Sequence, residues 1–337
     1  MEINRYARLQ QLTDIGEAGL RKLHNARIAL VGCGTLGSLY AINLTRMGIG
    51  YLRLIDRDIV EPHNLGTQFL YNEFDAAKTR PKALAAKQHL EPMNADCHIE
   101  AVATSISAKT APKYLYDVDL IVDATDNFDT RFIINDLAVR ENLPWLYTGV
   151  VGYFGVTTLI KPQETACLHC LISDPPSSGE LPTCETEGVW PPAAQTITAF
   201  GLKELTNFLV SATVSGVLHT IDFQADRWTH VQGKRQQNCP TCVQRDFKFI
   251  DGKNGYSATS LCGREMVHIL PDQEKAVDLP EIAKRLSHSF KVMQTEDLLR
   301  VKIPEGEIYL FADGRALIKG VNDVERARSL YDRYIGS

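Results

Sequence analysis

Four of the eight cysteines form two Cys-x-x-Cys pairs, the pattern in this sequence with the clearest chemical meaning. Cys167 and Cys170 make the first pair, and Cys239 and Cys242 make the second, about 70 residues further along the chain. Four thiolates are a common ligand set for a tetrahedral structural zinc ion. The separation is too long for a small zinc finger, so we expect the fold to bring the pairs together around one zinc. Unpaired core cysteines or a redox pair are the alternatives.

A glycine-rich turn, Gly32-x-Gly34-x-x-Gly37, lies between an apolar run and a segment with helical periodicity. Missing side chains let the backbone approach a phosphate, and the N-terminus of the following helix adds positive potential. Asp56 ends the next apolar run, 19 residues after Gly37. A carboxylate in that position can accept hydrogen bonds from ribose hydroxyls. The pattern predicts a site for an adenosine phosphate, and a tight turn without a ligand is the alternative.

Apolar runs and helical patterns alternate through the first three quarters of the chain. This alternation predicts an α/β fold with a Rossmann-like, mostly parallel sheet and helices on both faces. The predicted strands are 27–31, 51–55, 97–102, 120–124, 145–149, 154–160, 220–223 and 228–231, with 154–160 antiparallel. The predicted helices are 37–47, 81–90, 130–141 and 196–209. We assign residues 1–250 to this domain, together with the cysteine pairs.

The segment 173–194 interrupts the alternation with five prolines, and it carries Cys184. A connection this long is either mobile or functional. After the second cysteine pair, residues 266–335 predict the order β-α-β-β-β-α, with a hairpin at Asp313-Gly314 and a last helix at 323–334. We assign 260–337 to a small α+β domain.

Composition excludes several classes of function. The net charge of −5 argues against a nucleic-acid partner. No run of about 18 apolar residues predicts a membrane span, and the N-terminus lacks the apolar core of a signal peptide. We therefore expect a cytoplasmic protein with reduced cysteines. Cys33, Cys97 and Cys262 are interpreted as packing residues, and His169 is left out of the metal site because four sulfurs suffice.

Several motifs, in the same order and rough spacing, resemble the adenylating enzymes that activate ubiquitin-like proteins, in the ThiF/MoeB branch. The matching pieces are RYARLQ at 5–10, the glycine turn, Asp56-x-Asp58, Asn64-Leu65-x-x-Gln68, Pro81-Lys82, Thr125-Asp126-Asn127 with Arg131, both cysteine pairs and Thr183-Cys184. Leu261-Cys262-Gly263-Arg264, Asp313-Gly314-Arg315 and Tyr334-Ile335-Gly336 are similar to the extra C-terminal region of Bacillus-type ThiF proteins. That similarity favours the thiamin pathway.

The resemblance implies ATP-dependent adenylation of the C-terminal glycine carboxylate of a ThiS-like, ubiquitin-like sulfur carrier with a diglycine end. It further implies magnesium in the reaction, a homodimer and a persulfide donor, and the zinc at the cysteine pairs would be structural and not catalytic. Alternatives within the same chemistry are a MoaD-type carrier of molybdopterin synthesis and a peptide substrate. An NAD-dependent oxidoreductase is a further alternative, and it would explain the glycine turn and Asp56. It would leave Lys82, Asp126 and the cysteine pairs unexplained. A degenerate, non-catalytic binding module is the remaining alternative.

The family's functional residues carry over onto matching positions. Lys82 would contact the phosphates, Asp126 would serve magnesium and the α-phosphate region, and Arg8 would reach across a dimer into the partner's nucleotide site. Cys184 matches a cysteine that takes part in thioester or acyl-disulfide chemistry in ThiF-type enzymes. The implied nucleotide-binding set is Gly32, Gly34, Gly37, Asp56, Asp58, Asn64, Gln68, Lys82, Asp126, Asn127 and Arg131. From the residues alone, either Asp126 or Asn127 could instead be a helix N-cap.

One position departs from the family pattern. Thr67 stands where the family usually has an arginine, within Asn64-Leu65-Gly66-Thr67-Gln68. This removes a cation expected near the triphosphate. Either Lys78 or Arg80 compensates for it, or the enzyme is weaker or altered in substrate. We expect that it still adenylates.

Overall fold

The computed structural model describes residues 5–173, 175, 183–252, 266–269 and 277–336. The chain divides into two compact units, 1–254 and 255–337. The motif 261–264 with Cys262, and residues 176–182 of the proline-rich segment, lie outside the described residues. Among the described helices, none has the length and hydropathy needed to cross a bilayer.

The first unit is built on an eight-stranded sheet with the strand order β3-β2-β1-β4-β5-β6-β7-β8. Its strands are β1 (Arg27–Val31), β2 (Tyr51–Ile55), β3 (His98–Val102), β4 (Leu120–Asp123), β5 (Trp145–Val151), β6 (Phe154–Ile160), β7 (Val217–Asp222) and β8 (Arg227–Gln232). Strands β1 to β5 are parallel, whereas β6, β7 and β8 are antiparallel to their neighbours. The predicted Rossmann-like, mostly parallel sheet is confirmed.

Helices cover both faces of this sheet. They are α1 (Ala7–Gln10), α2 (Gly16–Asn25), α3 (Thr35–Met47), α4 (Glu73–Ala77), α5 (Lys82–Leu90), α6 (Ala111–Leu115), α7 (Phe128–Glu141), α8 (Leu168–Leu171), α9 (Cys184–Glu187) and α10 (Pro191–Ser211). Successive side chains of a strand point to opposite faces. Ile28 and Leu30 accordingly join one buried cluster, whereas Ala29 and Val31 join the other. A strand buried on both faces must be apolar throughout, which is why β1 reads as one continuous apolar run.

The strand order reverses at β1, whose neighbours are β2 and β4. Ligands of open α/β sheets bind in the crevice outside the carboxyl ends of the strands at such a reversal. The glycine turn follows β1, Asp56 follows β2, and Asp126 follows β4. The topology therefore gathers three of the predicted site segments around one crevice.

Helix α10 begins at Pro191, earlier than the predicted start at 196. The prediction was wrong because the last two prolines of the proline-rich segment were assigned to a loop. Proline is favoured in the first turn of a helix, where the backbone N–H it lacks would have no intrahelical partner.

The second unit has a five-stranded antiparallel sheet with the order β10-β11-β12-β13-β9. Its elements are β9 (Met266–Ile269), α11 (Leu279–Ser287), β10 (Lys291–Gln294), β11 (Leu298–Ile303), β12 (Gly306–Phe311), β13 (Ala316–Lys319) and α12 (Val324–Tyr334). The predicted order lacked one strand, because a tight turn in which Thr295 N–H donates to Leu298 O divides 291–303 into two. The hairpin at Asp313-Gly314 is confirmed, and Gly314 has the positive φ of 85° that such a turn requires.

Candidate functional site

The glycine turn packs too closely for side chains at two of its three glycines. A Cβ on Gly37 would lie 2.0 Å from Gly32 O, and one on Gly32 would lie 2.6 Å from Ala124 O. Gly32 also has a positive φ of 90°. Gly34 precedes the first turn of α3, with the Gln68 amide nitrogen 3.8 Å from where its Cβ would be. The turn thus presents its backbone and the α3 N-terminus to the crevice, an arrangement that suits phosphate.

Acidic and basic side chains meet beside this turn. Asp56 accepts backbone hydrogen bonds from Cys33 at 2.6 Å and Asp58 at 2.7 Å. Burial raises the pKa of Asp56, and the positive charge of Lys82 opposes the rise. The Lys82 ammonium lies 3.4 Å from Asp58, although its side chain is only 3% exposed. The charge of Lys82 also acts on Cys33 of the glycine turn, so a cation lies close to the place where a phosphate would bind.

A tyrosine joins the glycine turn to the helix that carries Lys82. The Tyr71 hydroxyl lies 2.7 Å from Cys33 O, to which it donates, and 3.3 Å from Lys82 O. Because Lys82 is the first residue of α5, its position follows from this contact with the turn. Sequence reasoning did not single out Tyr71.

Asn127, and not Asp126, caps the helix that follows β4. The Asn127 side chain accepts the N–H of Thr130 at 2.9 Å, so the interpretation of Asp126 as the N-cap is wrong. Asp126 is exposed at the crevice. Its carboxylate is therefore placed for solvent, a cation or a ligand.

A buried ion pair supports the turn that carries Asp126. Arg131 donates to Thr125 O at 2.6 Å, and its Nε lies 3.5 Å from Asp123 Oδ2. Asp123 also accepts the Thr125 N–H at 2.9 Å. Burial raises the pKa of Asp123, and Arg131 is the first of the groups that oppose the rise. Sequence reasoning missed Asp123 because an aspartate at the end of an apolar run looks like part of the strand.

Asn64, Thr67 and Gln68 lie in one segment, but their side chains make different contacts. Asn64 accepts the Glu61 N–H at 2.9 Å and so holds a short 3-10 turn. Gln68 is buried, and its side-chain oxygen has no hydrogen-bond partner among the described residues. The Thr67 hydroxyl accepts a hydrogen bond from Thr35 of the glycine turn at 3.2 Å. A neutral hydroxyl pair therefore occupies the place where the family pattern has an arginine.

Arg80 and Lys78 are the residues expected to replace the charge of that arginine. Arg80 binds Asp75 at 3.4 Å and contacts Gln88, and Lys78 is exposed at the end of α4.

Arg57 is a cation that the sequence analysis missed. It lies between Asp56 and Asp58, two residues after the end of β2, its side chain is only 15% exposed, and its Nε lies 3.8 Å from Asp58. Burial raises the pKa of Asp129, in the first turn of α7, and the positive charge of Arg57 opposes that rise. Arg57 follows β2 and Asp129 follows β4, and these strands are the two neighbours of β1, so the attraction joins segments on either side of the crevice. The signal in the sequence was a basic residue between Asp56 and Asp58.

Cys184 lies at the same edge of the sheet. It begins the single-turn helix α9, which Thr183 caps, and its thiol donates to Val150 O at 3.1 Å. The neighbouring Gly149 leaves room for Arg131, whose Nη2 would be 3.5 Å from a Cβ there. The thiol and the guanidinium therefore both lie against the end of β5. Arg8 is exposed on α1, and its role in a dimer stays a prediction.

The two cysteine pairs come together, although 72 residues separate corresponding members. The sulfur of Cys167 lies 3.8 Å from Cys170 and 3.5 Å from Cys239, and Cys170 lies 3.5 Å from Cys242. All four sulfurs lie within 4.8 Å of one another. Zn–S bonds of about 2.3 Å in a tetrahedron place sulfurs about 3.8 Å apart, so the cluster could hold a zinc ion.

The fold and the crevice define a nucleotide-binding α/β protein with a separate four-cysteine cluster, and residues 6–241 match the ThiF family. The chain belongs to the ThiF family. It is 37% identical over 335 residues to the sulfur carrier protein ThiS adenylyltransferase of Bacillus subtilis, covering 98% of this chain and 99% of that protein. It is 30% identical to the Escherichia coli protein of that name, covering 71% of this chain and 94% of the relative.

Solved structures share the fold. E. coli MccB with ATP superimposes with a TM-score of 0.61 at 25% identity, covering 71% of this chain and 74% of MccB. PaaA superimposes with a TM-score of 0.57 at 20% identity, covering 70% of this chain and 74% of PaaA. The similarity to PaaA concerns the fold alone.

Proposed function

We propose that this protein is an adenylyltransferase that uses ATP to activate the C-terminal carboxylate of a ThiS-like sulfur carrier protein. The observation that carries this proposal is the 37% identity to the B. subtilis ThiS adenylyltransferase over nearly the whole of both chains. The crevice supports it, because the glycine turn, Lys82 and the exposed Asp126 lie around the carboxyl end of β1. The carrier, a homodimer and a persulfide donor are the proposed partners.

In the proposed reaction a carboxylate oxygen of the carrier attacks the α-phosphorus of ATP. One P–O bond forms, the bond to the pyrophosphate leaving group breaks, and negative charge gathers on the phosphate oxygens. Backbone N–H groups of the glycine turn and the Lys82 ammonium would stabilise that charge. The carrier needs no general base, because a C-terminal carboxylate is already ionised at neutral pH.

Asp126 is the residue that we propose for magnesium. Exposed carboxylate oxygens are ligands that magnesium accepts, and Asn127 leaves Asp126 uncommitted to the helix cap. The ion would neutralise phosphate charge. Asp56 would accept the ribose hydroxyls and Gln68 would face the nucleotide, since its buried side-chain oxygen has no partner among the described residues. Zinc at the cysteine cluster would be structural, since four sulfurs leave no open position.

ATP–pyrophosphate exchange tests the proposal directly. The purified protein, with a diglycine-ended ThiS-like carrier and magnesium, is expected to return labelled pyrophosphate to ATP. A carrier that lacks its last glycine is the control and should give no exchange. Exchange with a MoaD-like carrier alone would redirect the proposal to molybdopterin synthesis. No exchange with any carrier or peptide would contradict it and favour a binding module.

Arg57 is expected to supply the cation that Thr67 lacks. Arg57→Ala should raise KM for ATP about 10- to 150-fold and change kcat by less than about twofold, since one charge-assisted contact is worth roughly 1.5–3 kcal/mol. Adding Thr67→Arg to this variant should restore most of the affinity. Lys78→Ala is the matched control and should match the wild type. An unchanged KM in Arg57→Ala would refute this role.

Cys184 is expected to act after adenylation. Its sulfur would attack the carbonyl carbon of the acyl-adenylate, so that a C–S bond forms and AMP leaves. Cys184→Ala should therefore keep ATP–pyrophosphate exchange within about twofold and lose sulfur transfer to the carrier. Mass spectrometry of the carrier measures its thiocarboxylate. Full thiocarboxylate formation by the variant would remove Cys184 from the pathway. Both this chemistry and the cysteine cluster need reduced thiols, which a cytoplasmic location would provide.

A further inference from the structure

Two consecutive residues in the middle of α7 hold both cysteine pairs. Asn135 and Asp136 are fully buried. The Asn135 side-chain oxygen accepts the N–H of Leu168, between the first two cysteines, at 2.9 Å. Asp136 accepts the hydroxyl of Thr241, between the second two, at 3.3 Å. One turn of one helix therefore fixes both pairs.

Further contacts tie the same turn to the chain after the second pair. Asp136 accepts the N–H groups of Phe249 at 2.9 Å and Ile250 at 3.3 Å. His169 Nδ1 lies 2.8 Å from the Thr241 hydroxyl oxygen, so the two pairs are also bonded to each other. The Phe132 ring, one turn earlier on α7, packs on Phe249 with centroids 4.7 Å apart. Helix α7 therefore contacts both the cysteine pairs and the segment that follows them.

The beginning of α7 belongs to the nucleotide crevice. Asn127 caps it, Asp126 precedes the cap, and Arg131 holds the turn before it. Asn127 and Asn135 are eight residues apart, which is about 12 Å along a helix. Helix α7 alone therefore connects the crevice to the residues that hold the cysteine pairs.

We propose that α7 links the metal at the cysteine cluster to the nucleotide site, so that each increases the affinity for the other. This rests on the proposed function. A metal bound by four sulfurs fixes Leu168 and Thr241 against Asn135 and Asp136. Without it, the pairs lose their common anchor, and buried Asn135 and Asp136 must find other partners or leave the core. Helix α7 then shifts or frays, and Asp126 and Asn127 move with it.

The effects of metal and ATP on each other's binding affinity must be equal in size. If metal strengthens ATP binding by some factor, ATP must strengthen metal binding by the same factor. We expect a factor of about ten, within the usual range for coupled sites. If the metal only held the cysteine segments together, it would stabilise the fold. The affinity for ATP would then be the same with and without metal, which is a factor of one.

The test measures both directions on the full chain. ATP affinity is determined for zinc-loaded and zinc-stripped protein, and zinc affinity by competition with a chelator that spares magnesium, with and without ATP. Thr241→Val keeps all four cysteines but removes the hydroxyl that joins His169 to Asp136, and it should lower the factor towards one. Thr198→Val is the matched control, because the buried Thr198 hydroxyl has no partner among the described residues. In Thr198→Val, zinc and ATP should increase each other's affinity by the same factor as in the wild type.

The outcomes separate the inference from the proposed function. Tight ATP binding that is equal in loaded and stripped protein, with zinc affinity unaffected by ATP, overturns the link and leaves the proposed function intact. Absence of ATP binding by the loaded protein overturns both. If the stripped protein unfolds, the effect of ATP on zinc affinity in the wild type and in Thr241→Val still decides. An equal factor in these two proteins contradicts the proposed route through Thr241.

Discussion

Asp126→Asn is expected to lower the rate of adenylate formation about 100- to 1000-fold, the size of effect seen when one preorganised electrostatic group is lost from an active site. The substitution keeps the shape of the side chain and removes its charge. Because Asp126 is exposed and Asn127 provides the helix cap, folding should be unaffected. Rapid-quench measurement of acyl-adenylate, with ATP and carrier both saturating, isolates this step.

Asp226→Asn provides the matched control for that measurement. Asp226 is an exposed aspartate in the turn between β7 and β8, where asparagine tolerates its positive φ of 48°. It should keep the wild-type rate and unfolding midpoint. Adenylate formation by Asp126→Asn within about threefold of the wild type, at an unchanged unfolding midpoint, would show that this carboxylate is not needed.

Cys239→Ser is expected to abolish stoichiometric metal binding and to lower the unfolding temperature by more than about 10 °C. Metal binding at a structural site contributes directly to folding free energy, and one lost thiolate leaves an incomplete tetrahedron. Metal analysis of the wild type should give one zinc per chain. Calorimetry of the two proteins then reports the loss of stability.

Cys97→Ser separates this effect from the general cost of placing a hydroxyl in the core. Cys97 is also buried, but it packs in the cluster on the other face of the sheet. That variant should keep its zinc and lose only about 1–3 kcal/mol of stability. Well under one zinc per wild-type chain, or full zinc occupancy in Cys239→Ser, would contradict the assignment of the cluster.

Sequence reasoning located the parts of the site that depend on local chemistry. The glycines of the turn are required by contacts within a few residues or with one neighbouring strand, so Gly32 and Gly37 leave a recognisable spacing. The cysteine pairs are equally easy to recognise in the sequence, because only a few residue types bind zinc. In each of these motifs, the local geometry or the metal chemistry requires particular residue types, so the motif can be predicted from the sequence.

Other residues of the site depend on the strand order and were missed. Asp123 matters because Arg131 reaches it from the next helix, and Arg57 matters because its charge acts on Asp129, which follows a different strand. Asn135 and Asp136 looked like ordinary helical residues, since their partners lie 33 and 105 residues away in the chain. Contacts over such separations are not encoded in any local pattern.

A metal ion bound by the cysteine cluster would close a loop in the chain. Corresponding cysteines are separated by 72 residues, and α9 with Cys184, α10, β7 and β8 all lie between them. By analogy with a disulfide, closing a loop of this length removes unfolded-chain entropy worth about 4 kcal/mol. Both ends of the stretch that carries Cys184 would then be fixed at one point beside α7. Folding of that stretch would therefore cost less conformational entropy than folding of the same segment with free ends.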